Sequence, residues 1–155
     1  MLRQSELPRM KTAAWIRVCI AALAFVGMVD ATYVALHSSR SFLLPCGLAG
    51  GCDQVLNSPY AAVAGIPVAW FGLAFYLATA GCALFALFGF EHALRFSFAL
   101  VNLALGFTVY LVYLQAIVIR AFCDYCLLSA LLVTLIFVLH LWSRRHPLGD
   151  EEVQP

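Results

Sequence analysis

The stretch VAWFGLAFYLATAGCALFALFGF, residues 68–90, decides the fold class of this chain. It carries no charged side chain, and the nearest charges on either side are Asp53 and Glu91. A helix rises about 1.5 Å per residue, so roughly 20 apolar residues cross the hydrocarbon core of a bilayer. Residues 68–90 are therefore predicted to form a membrane-spanning helix.

Three further stretches are similarly apolar, and they cover about residues 14–37, 96–119 and the shorter 126–143. The sequence therefore predicts an all-α membrane protein, a four-transmembrane-helix bundle. The extracytoplasmic loop 38–67 holds too many Gly and Pro residues for a continuous helix, and we expect only a short helix there, near 53–57. Residues 1–155 are expected to form a single integral membrane domain without a fused thioredoxin-like domain.

Composition excludes several classes of protein. Of the 155 residues, 64% are hydrophobic and only 11% are charged, whereas soluble domains average about 25% charged residues. The formal net charge of +1 cannot neutralise a run of phosphates, so no nucleic-acid partner is expected. The lipid bilayer is the expected environment.

The distribution of Lys and Arg predicts the orientation, because these residues resist translocation when they lie in short loops. Seven flank one side of the predicted spans: Arg3, Arg9, Lys11, Arg17, Arg95, Arg144 and Arg145. Only Arg40 and Arg120 lie on the other side. We therefore expect a multi-pass protein of the cell (inner) membrane with both termini cytoplasmic. The first span is expected to be retained, since it is too long for a signal peptide.

Four of the six cysteines fall on the extracytoplasmic side in this topology: Cys46, Cys52, Cys123 and Cys126. That compartment is oxidising, so paired cysteines there are disulfide candidates. The other two, Cys19 and Cys82, lie within spans and are expected to be small apolar packing residues. The four extracytoplasmic cysteines are therefore the candidate redox residues.

Cys123 and Cys126 form a Cys-x-x-Cys at the start of the last predicted helix. Residues at i and i+3 share a helix face, and the positive end of the helix dipole favours a thiolate at the outer position. This placement indicates an exchange-active pair that acts as a relay. Two alternatives stay open at this point: two disulfides that only staple loops, and a four-cysteine metal site, which oxidation would oppose. No metal is predicted.

Several motifs together resemble one family. They are Cys46 with the run CDQVLNSPY at residues 52–60, the tripeptide Gly-Ile-Pro at 65–67, and Cys-Asp-Tyr-Cys at 123–126 at the start of the last of four spans. This ordered set is similar to the vitamin K epoxide reductase family, and to its bacterial branch in particular. The resemblance covers about residues 14–143.

The resemblance implies a four-helix bundle around a quinone pocket and a quinone-dependent enzyme that forms disulfides. Cys46 and Cys52 would reoxidise a secreted thioredoxin-fold partner, DsbA-like in role. Cys52 would then exchange with Cys123, and Cys126 would deliver electrons to menaquinone or ubiquinone. Ser58 matches the loop serine of the family and would position or protonate the quinone headgroup.

Aromatic residues on two spans are candidates for the quinone pocket, although such residues also serve as packing or interfacial anchors. They are Phe71 and Phe75, which share a helix face, together with Phe107, Tyr110 and Tyr113. Asp30 is a carboxylate inside the first span, and intramembrane acids are functional hypotheses by default. It is a candidate proton relay, or it pairs with Arg40 or Arg120 or is held by backbone and hydroxyl groups.

The sequence also departs from its relatives. Val68 and Ala130 stand where animal members carry asparagine and tyrosine, so reduction of vitamin K epoxide is not expected. Asp124 replaces a proline that is common in bacterial members, and its charge is expected to disfavour the Cys123 thiolate. A DsbB-like oxidase is a rival, but that family places its Cys-x-x-Cys in the first outer loop, the reverse of the order here.

Overall fold

The computed structural model describes residues 6–38, 46–48 and 50–145, and its main elements are helices. In chain order they are α1 (Glu6–Ser38), α2 (Cys52–Leu56), α3 (Val68–Leu87), α4 (Glu91–Tyr113), a π-helix (Leu114–Ile119) and α5 (Asp124–Arg145). The segments Ala14–Ser38, Val68–Leu87, His92–Ile119 and Asp124–Arg144 are long and apolar enough to cross a membrane. The predicted all-α four-helix membrane bundle is confirmed. Arg3 and Arg40 lie outside the described residues.

The interior of the bundle is built on the contact between α1 and α3. Gly27 on α1 lets the ring of Tyr76 pack against the backbone, because a Cβ at Gly27 would overlap that ring. The Tyr76 side chain is fully buried, and its hydroxyl lies 2.8 Å from the Ser129 hydroxyl on α5. One side chain therefore joins three helices.

The other face of each long helix is apolar and exposed. Trp15 on α1, Phe85 on α3, Leu103 on α4 and Trp142 on α5 are each more than half exposed. In water such a surface would be unfavourable, since large exposed apolar patches are rare on soluble monomers. The helices therefore present this surface to lipid.

The end of the bundle that carries residues 46–67 and 120–123 is called the loop end here. Besides α2 it contains a two-stranded hairpin, β1 (Ala62–Val63) and β2 (Ile66–Pro67), with Val63 paired to Ile66. The two turn residues, Ala64 and Gly65, have φ values of 52° and 81°. Positive φ at both central positions is typical of the tight turns that match the twist of a hairpin.

The helix α4 does not end as a regular α-helix. It continues into the π-helix Leu114–Ile119, and Arg120 follows with φ 56° and ψ 35°, in the left-handed region. The backbone N–H of Arg120 donates to the carbonyl oxygen of Gln115, and so does the N–H of Ala121, at 3.1 Å. The chain thus reverses within a few residues and enters α5 directly.

Candidate redox site

The short helix α2 docks directly on the segment before α5. The backbone N–H of Gly51 donates to the carbonyl oxygen of Phe122 at 3.2 Å. A Cβ at Gly51 would lie 2.8 Å from that oxygen, so only glycine permits this approach. The contact places Cys52 and Cys123, both fully buried, in one apolar cluster with Val55 and Ala121.

The loop cysteines Cys46 and Cys52 are joined as a disulfide. The backbone N–H of Cys52 also donates to Sγ of Cys46, at 3.0 Å. Cys46 is half-buried, whereas Cys52 is inside the cluster. The disulfide therefore has an outer sulfur near the surface and an inner sulfur next to the Cys-x-x-Cys segment.

Asp124 holds the loop that carries this disulfide. Its Oδ2 accepts a hydrogen bond from the backbone N–H of Gly47 at 2.9 Å. A carboxylate oxygen of Asp124 and the sulfurs of Cys46 and Cys52 lie within 4.8 Å of one another. The two sulfurs are bonded to each other, so the group is a disulfide whose loop is held by the Asp124 carboxylate.

Cys123 and Cys126 are free thiols in this structure. A hydrogen bond from the Cys126 side chain lowers the pKa of Cys123, and hydrogen bonds from the backbone of Cys126 and Tyr125 act in the same direction, while burial opposes them. The carboxylate that opposes the shift in this pKa is Asp30 on α1. The expected effect of Asp124 on the Cys123 thiolate stays a prediction, and in the structure its carboxylate accepts the hydrogen bond from Gly47.

A cavity of about 660 Å³ opens between the long helices and beneath the loop end. Its volume falls in the range of about 300–1,000 Å³ that small-molecule sites occupy. The walls are mainly apolar, and Cys126 is part of them. Of the two inner thiols, Cys126 therefore faces the cavity, whereas Cys123 belongs to the buried cluster beside Cys52.

The structure brings most of the predicted pocket residues to this cavity. Its wall includes Ser58, Phe71, Phe75, Phe107 and Asp30. The hydroxyl of Ser58 donates to the carbonyl oxygen of Val55 at 2.7 Å.

Two of the predicted pocket residues lie elsewhere. Tyr110 and Tyr113 are not part of the described wall, and they are 50% and 55% exposed on α4. The ring centroids of Tyr110 and Phe107 are 6.3 Å apart, so Tyr110 stands beside the wall residue Phe107 without being part of the wall itself.

Three polar residues of the wall were not predicted from the sequence. Gln115 is 2% exposed, and its Oε1 accepts a hydrogen bond from the backbone N–H of Cys123 at 3.0 Å. Tyr76 and Ser129, hydrogen-bonded to each other, also line the cavity. An amide inside an apolar span was a signal comparable to that of Asp30, and it could have singled out Gln115.

The comparison with known families agrees with this geometry. The model of the vitamin K epoxide reductase family matches residues 18–141. The matched region contains the loop disulfide, the Cys-x-x-Cys pair and all four long helices in whole or in large part. The chain belongs to the vitamin K epoxide reductase family and is, as that family implies, a membrane thiol oxidoreductase.

Proposed function

We propose that this protein is a quinone-dependent thiol-disulfide oxidoreductase that reoxidises a secreted thioredoxin-fold, DsbA-like partner and so drives disulfide formation in exported proteins. One observation carries the proposal. Cys52 lies in the same buried cluster as Cys123, and Cys126, three residues further on, lines the apolar cavity. The two cysteine pairs thus form a continuous path from the loop to the cavity.

The path supports a balanced series of exchanges. A thiolate of the reduced partner attacks Sγ of Cys46 and displaces Cys52. The second thiolate of the partner then attacks the partner's own sulfur in this mixed disulfide, so the partner leaves oxidised and Cys46 is released as a thiolate. The freed Cys52 thiolate attacks Cys123 in its disulfide with Cys126 and displaces Cys126. Cys46 finally attacks Cys52, which restores the loop disulfide and releases Cys123. Two electrons and two protons have then moved from the partner to the inner pair.

The structure corresponds to the end of that series, with Cys46 and Cys52 bonded and Cys123 and Cys126 reduced. The hydrogen bond from Cys126 that lowers the pKa of Cys123 is the interaction expected of an exchange-active pair. Burial of Cys52 protects the inner sulfur from solvent, while half-exposed Cys46 is the sulfur that a protein partner reaches first.

The cavity fits a quinone, menaquinone or ubiquinone, because its wall is apolar and aromatic and contains a redox-active thiol. Phe71, Phe75 and Phe107 would hold the ring, and Ser58 would offer its hydroxyl oxygen. When bound, a quinone supplies an acceptor for two electrons and two protons, which side chains cannot supply. Asp30, in the same wall, is proposed to move protons between solvent and the cavity.

The orientation belongs to the same proposal. The loop end faces the extracytoplasmic side of the cell (inner) membrane, and both termini are cytoplasmic. The excess of Lys and Arg outside the loop end supports this assignment. It also places the loop disulfide in the compartment where exported proteins acquire their disulfides.

The test is anaerobic quinone reduction by the purified full-length protein in detergent, with a reduced thioredoxin-fold protein as donor. Quinone reduction should disappear in Cys126→Ala and persist in Cys82→Ala, a matched loss of a cysteine from α3. A protein with an intact loop disulfide that reduces neither menaquinone nor ubiquinone would instead be a structural protein stapled by disulfides.

The order of the relay has its own test. Cys46→Ala should block turnover with the protein donor and spare reduction by dithiothreitol, which can reduce the inner pair directly. Equal loss with both donors would contradict the assigned order.

A further inference from the structure

The side chain of Gln115 bridges the redox pair and the cavity. It extends from the π-helix Leu114–Ile119, is 2% exposed and forms part of the cavity wall. Its Oε1 accepts the backbone N–H of Cys123 at 3.0 Å. Its own carbonyl oxygen accepts the backbone N–H groups of Arg120 and Ala121. The residue is therefore fixed at both its main chain and its side chain.

The orientation of the amide follows from its partner. A backbone N–H can only donate, so the atom of Gln115 that faces Cys123 must be the oxygen. The nitrogen Nε2, with two hydrogens to donate, consequently points away from Cys123. Within the described part of the chain, Nε2 has no hydrogen-bond acceptor. It is also not among the fully buried polar atoms that lack a partner, so it borders open space. The open space next to this side chain is the cavity.

Several hydroxyls in the wall are already engaged in hydrogen bonds. Ser58 donates to the Val55 carbonyl oxygen at 2.7 Å, and Ser38 donates to the Val34 carbonyl oxygen at 2.8 Å. Tyr76 is likewise engaged with Ser129. A ligand oxygen in this apolar cavity needs a donor, because a buried polar atom without one loses free energy. The amide of Gln115 supplies such a donor, and the same side chain holds the backbone of Cys123.

We propose that Nε2 of Gln115 donates a hydrogen bond to a carbonyl oxygen of the quinone, while Oε1 of the same side chain holds the backbone of Cys123. The inference rests on the proposed function and adds the residue that sets the position of the headgroup relative to Cys123 and Cys126. Gln115 is thus a ligand-binding residue and a positioning residue together. Departures from α-helical geometry are frequent at functional sites, and the π-helix around Gln115 fits that pattern.

The test compares two ligands of similar shape on two proteins. Menadione carries two carbonyl oxygens, and 2-methylnaphthalene has the same fused rings without oxygen. Binding is measured by quenching of intrinsic protein fluorescence in wild type and in Gln115→Met, which keeps the side-chain length and removes donor and acceptor. Menadione should bind about 5- to 10-fold more weakly to the variant, the worth of one neutral hydrogen bond. The affinity for 2-methylnaphthalene should change less than about twofold, on the same reasoning.

Asn102→Leu is the matched control, because it removes an amide from α4 at an exposed position outside the described cavity wall. The control should bind both ligands as wild type does. Amide hydrogen exchange at Cys123 should also accelerate in Gln115→Met and remain unchanged in Asn102→Leu, which reports the positioning role separately from ligand affinity.

The outcomes separate this inference from the proposed function. Equal menadione affinity in wild type and Gln115→Met overturns the role of Gln115 and leaves quinone binding intact. Failure of wild type to bind menadione overturns both. If Gln115→Met does not fold, infrared spectra of ¹³C-carbonyl menadione bound to wild type decide the matter. A carbonyl stretch lowered from its frequency in hexane supports the hydrogen bond, and two carbonyls at the hexane frequency overturn it.

Discussion

Replacing Gly51 by alanine is expected to slow disulfide exchange between Cys52 and Cys123 by about 10- to 100-fold. The new Cβ would lie 2.8 Å from the carbonyl oxygen of Phe122, 2.9 Å from Cβ of Ala121 and 3.0 Å from the nitrogen of Phe122. Gly51 has φ −103°, which alanine also adopts, so the substitution adds a steric conflict without backbone strain.

The size of the effect follows from these distances. To restore ordinary contact, α2 must move away from residues 121–122 by about 0.6 Å, which lengthens the hydrogen bond from Gly51 to Phe122 beyond its useful range. Overpacking of this kind costs about 1–3 kcal/mol. A displacement of about 1 Å between reacting groups can lower a rate about 10²-fold. We therefore expect the displacement of about 0.6 Å to slow the exchange by less than that, within the range of about 10- to 100-fold.

The assay follows formation of the Cys52–Cys123 mixed disulfide in a background of Cys46→Ala and Cys126→Ala, where it cannot be resolved. Oxidised glutathione is added, one cysteine forms a mixed disulfide with it, and attack by the other cysteine then releases glutathione. Samples are quenched with an alkylating agent and quantified by mass spectrometry. Gly47→Ala is the control, since its Cβ would meet only Asp124 Oδ2, at 3.4 Å. A folded Gly51→Ala protein that forms the mixed disulfide at the parent rate would refute the reasoning.

Three further predictions concern the same end of the bundle. Asp124→Ala should speed hydrogen exchange at the Gly47 amide severalfold, because it removes the acceptor of that amide's hydrogen bond. Asp124→Asn keeps an acceptor oxygen and should preserve most of the protection. Equal exchange in both variants would show that the hydrogen bond does not hold the loop. Cys126→Ala should raise the pKa of Cys123, so the midpoint of its alkylation rate against pH moves upward and labelling at pH 7 slows, while Cys126→Ser keeps a donor and a midpoint closer to that of wild type. Arg120→Gly should raise the free energy of unfolding by up to about 1 kcal/mol, because φ 56° is unfavourable for residues with a side chain, and Arg120→Ala should give no such gain in thermal unfolding.

The long helices could be predicted because their physical cause is local. A span needs a sufficient run of apolar residues, and the run 68–90 meets that condition by itself. The cysteine pairs could be identified for a similar reason, since Cys123 and Cys126 are neighbours on one chain segment. The family resemblance then related the two pairs to each other.

The details of the site depend on tertiary structure and were not predictable in the same way. The hydrogen bond between Asp124 and Gly47 joins residues 77 positions apart, and the sequence alone suggested a different effect for that carboxylate. Periodicity indicates which residues share a helix face but not what that face meets, so Tyr110 and Tyr113 were grouped with Phe107. The π-helix around Gln115 has no simple sequence signature, and the role of that residue was missed with it.

The π-helix also makes the position of any insertion or deletion near the end of α4 decisive. A π-helical turn holds one residue more than an α-helical turn, and each residue of an α-helix rotates the chain by about 100°. Deleting a single residue from Leu114–Ile119 would therefore let this segment relax to α-helix while the rotation between its two flanks stays nearly the same. Phe107 would keep its place in the cavity wall, whereas the wide turn that carries Gln115 would be lost. A deletion between Phe107 and the π-helix has no such compensation, and it would turn the aromatic wall of α4 away from Cys126 by about 100°.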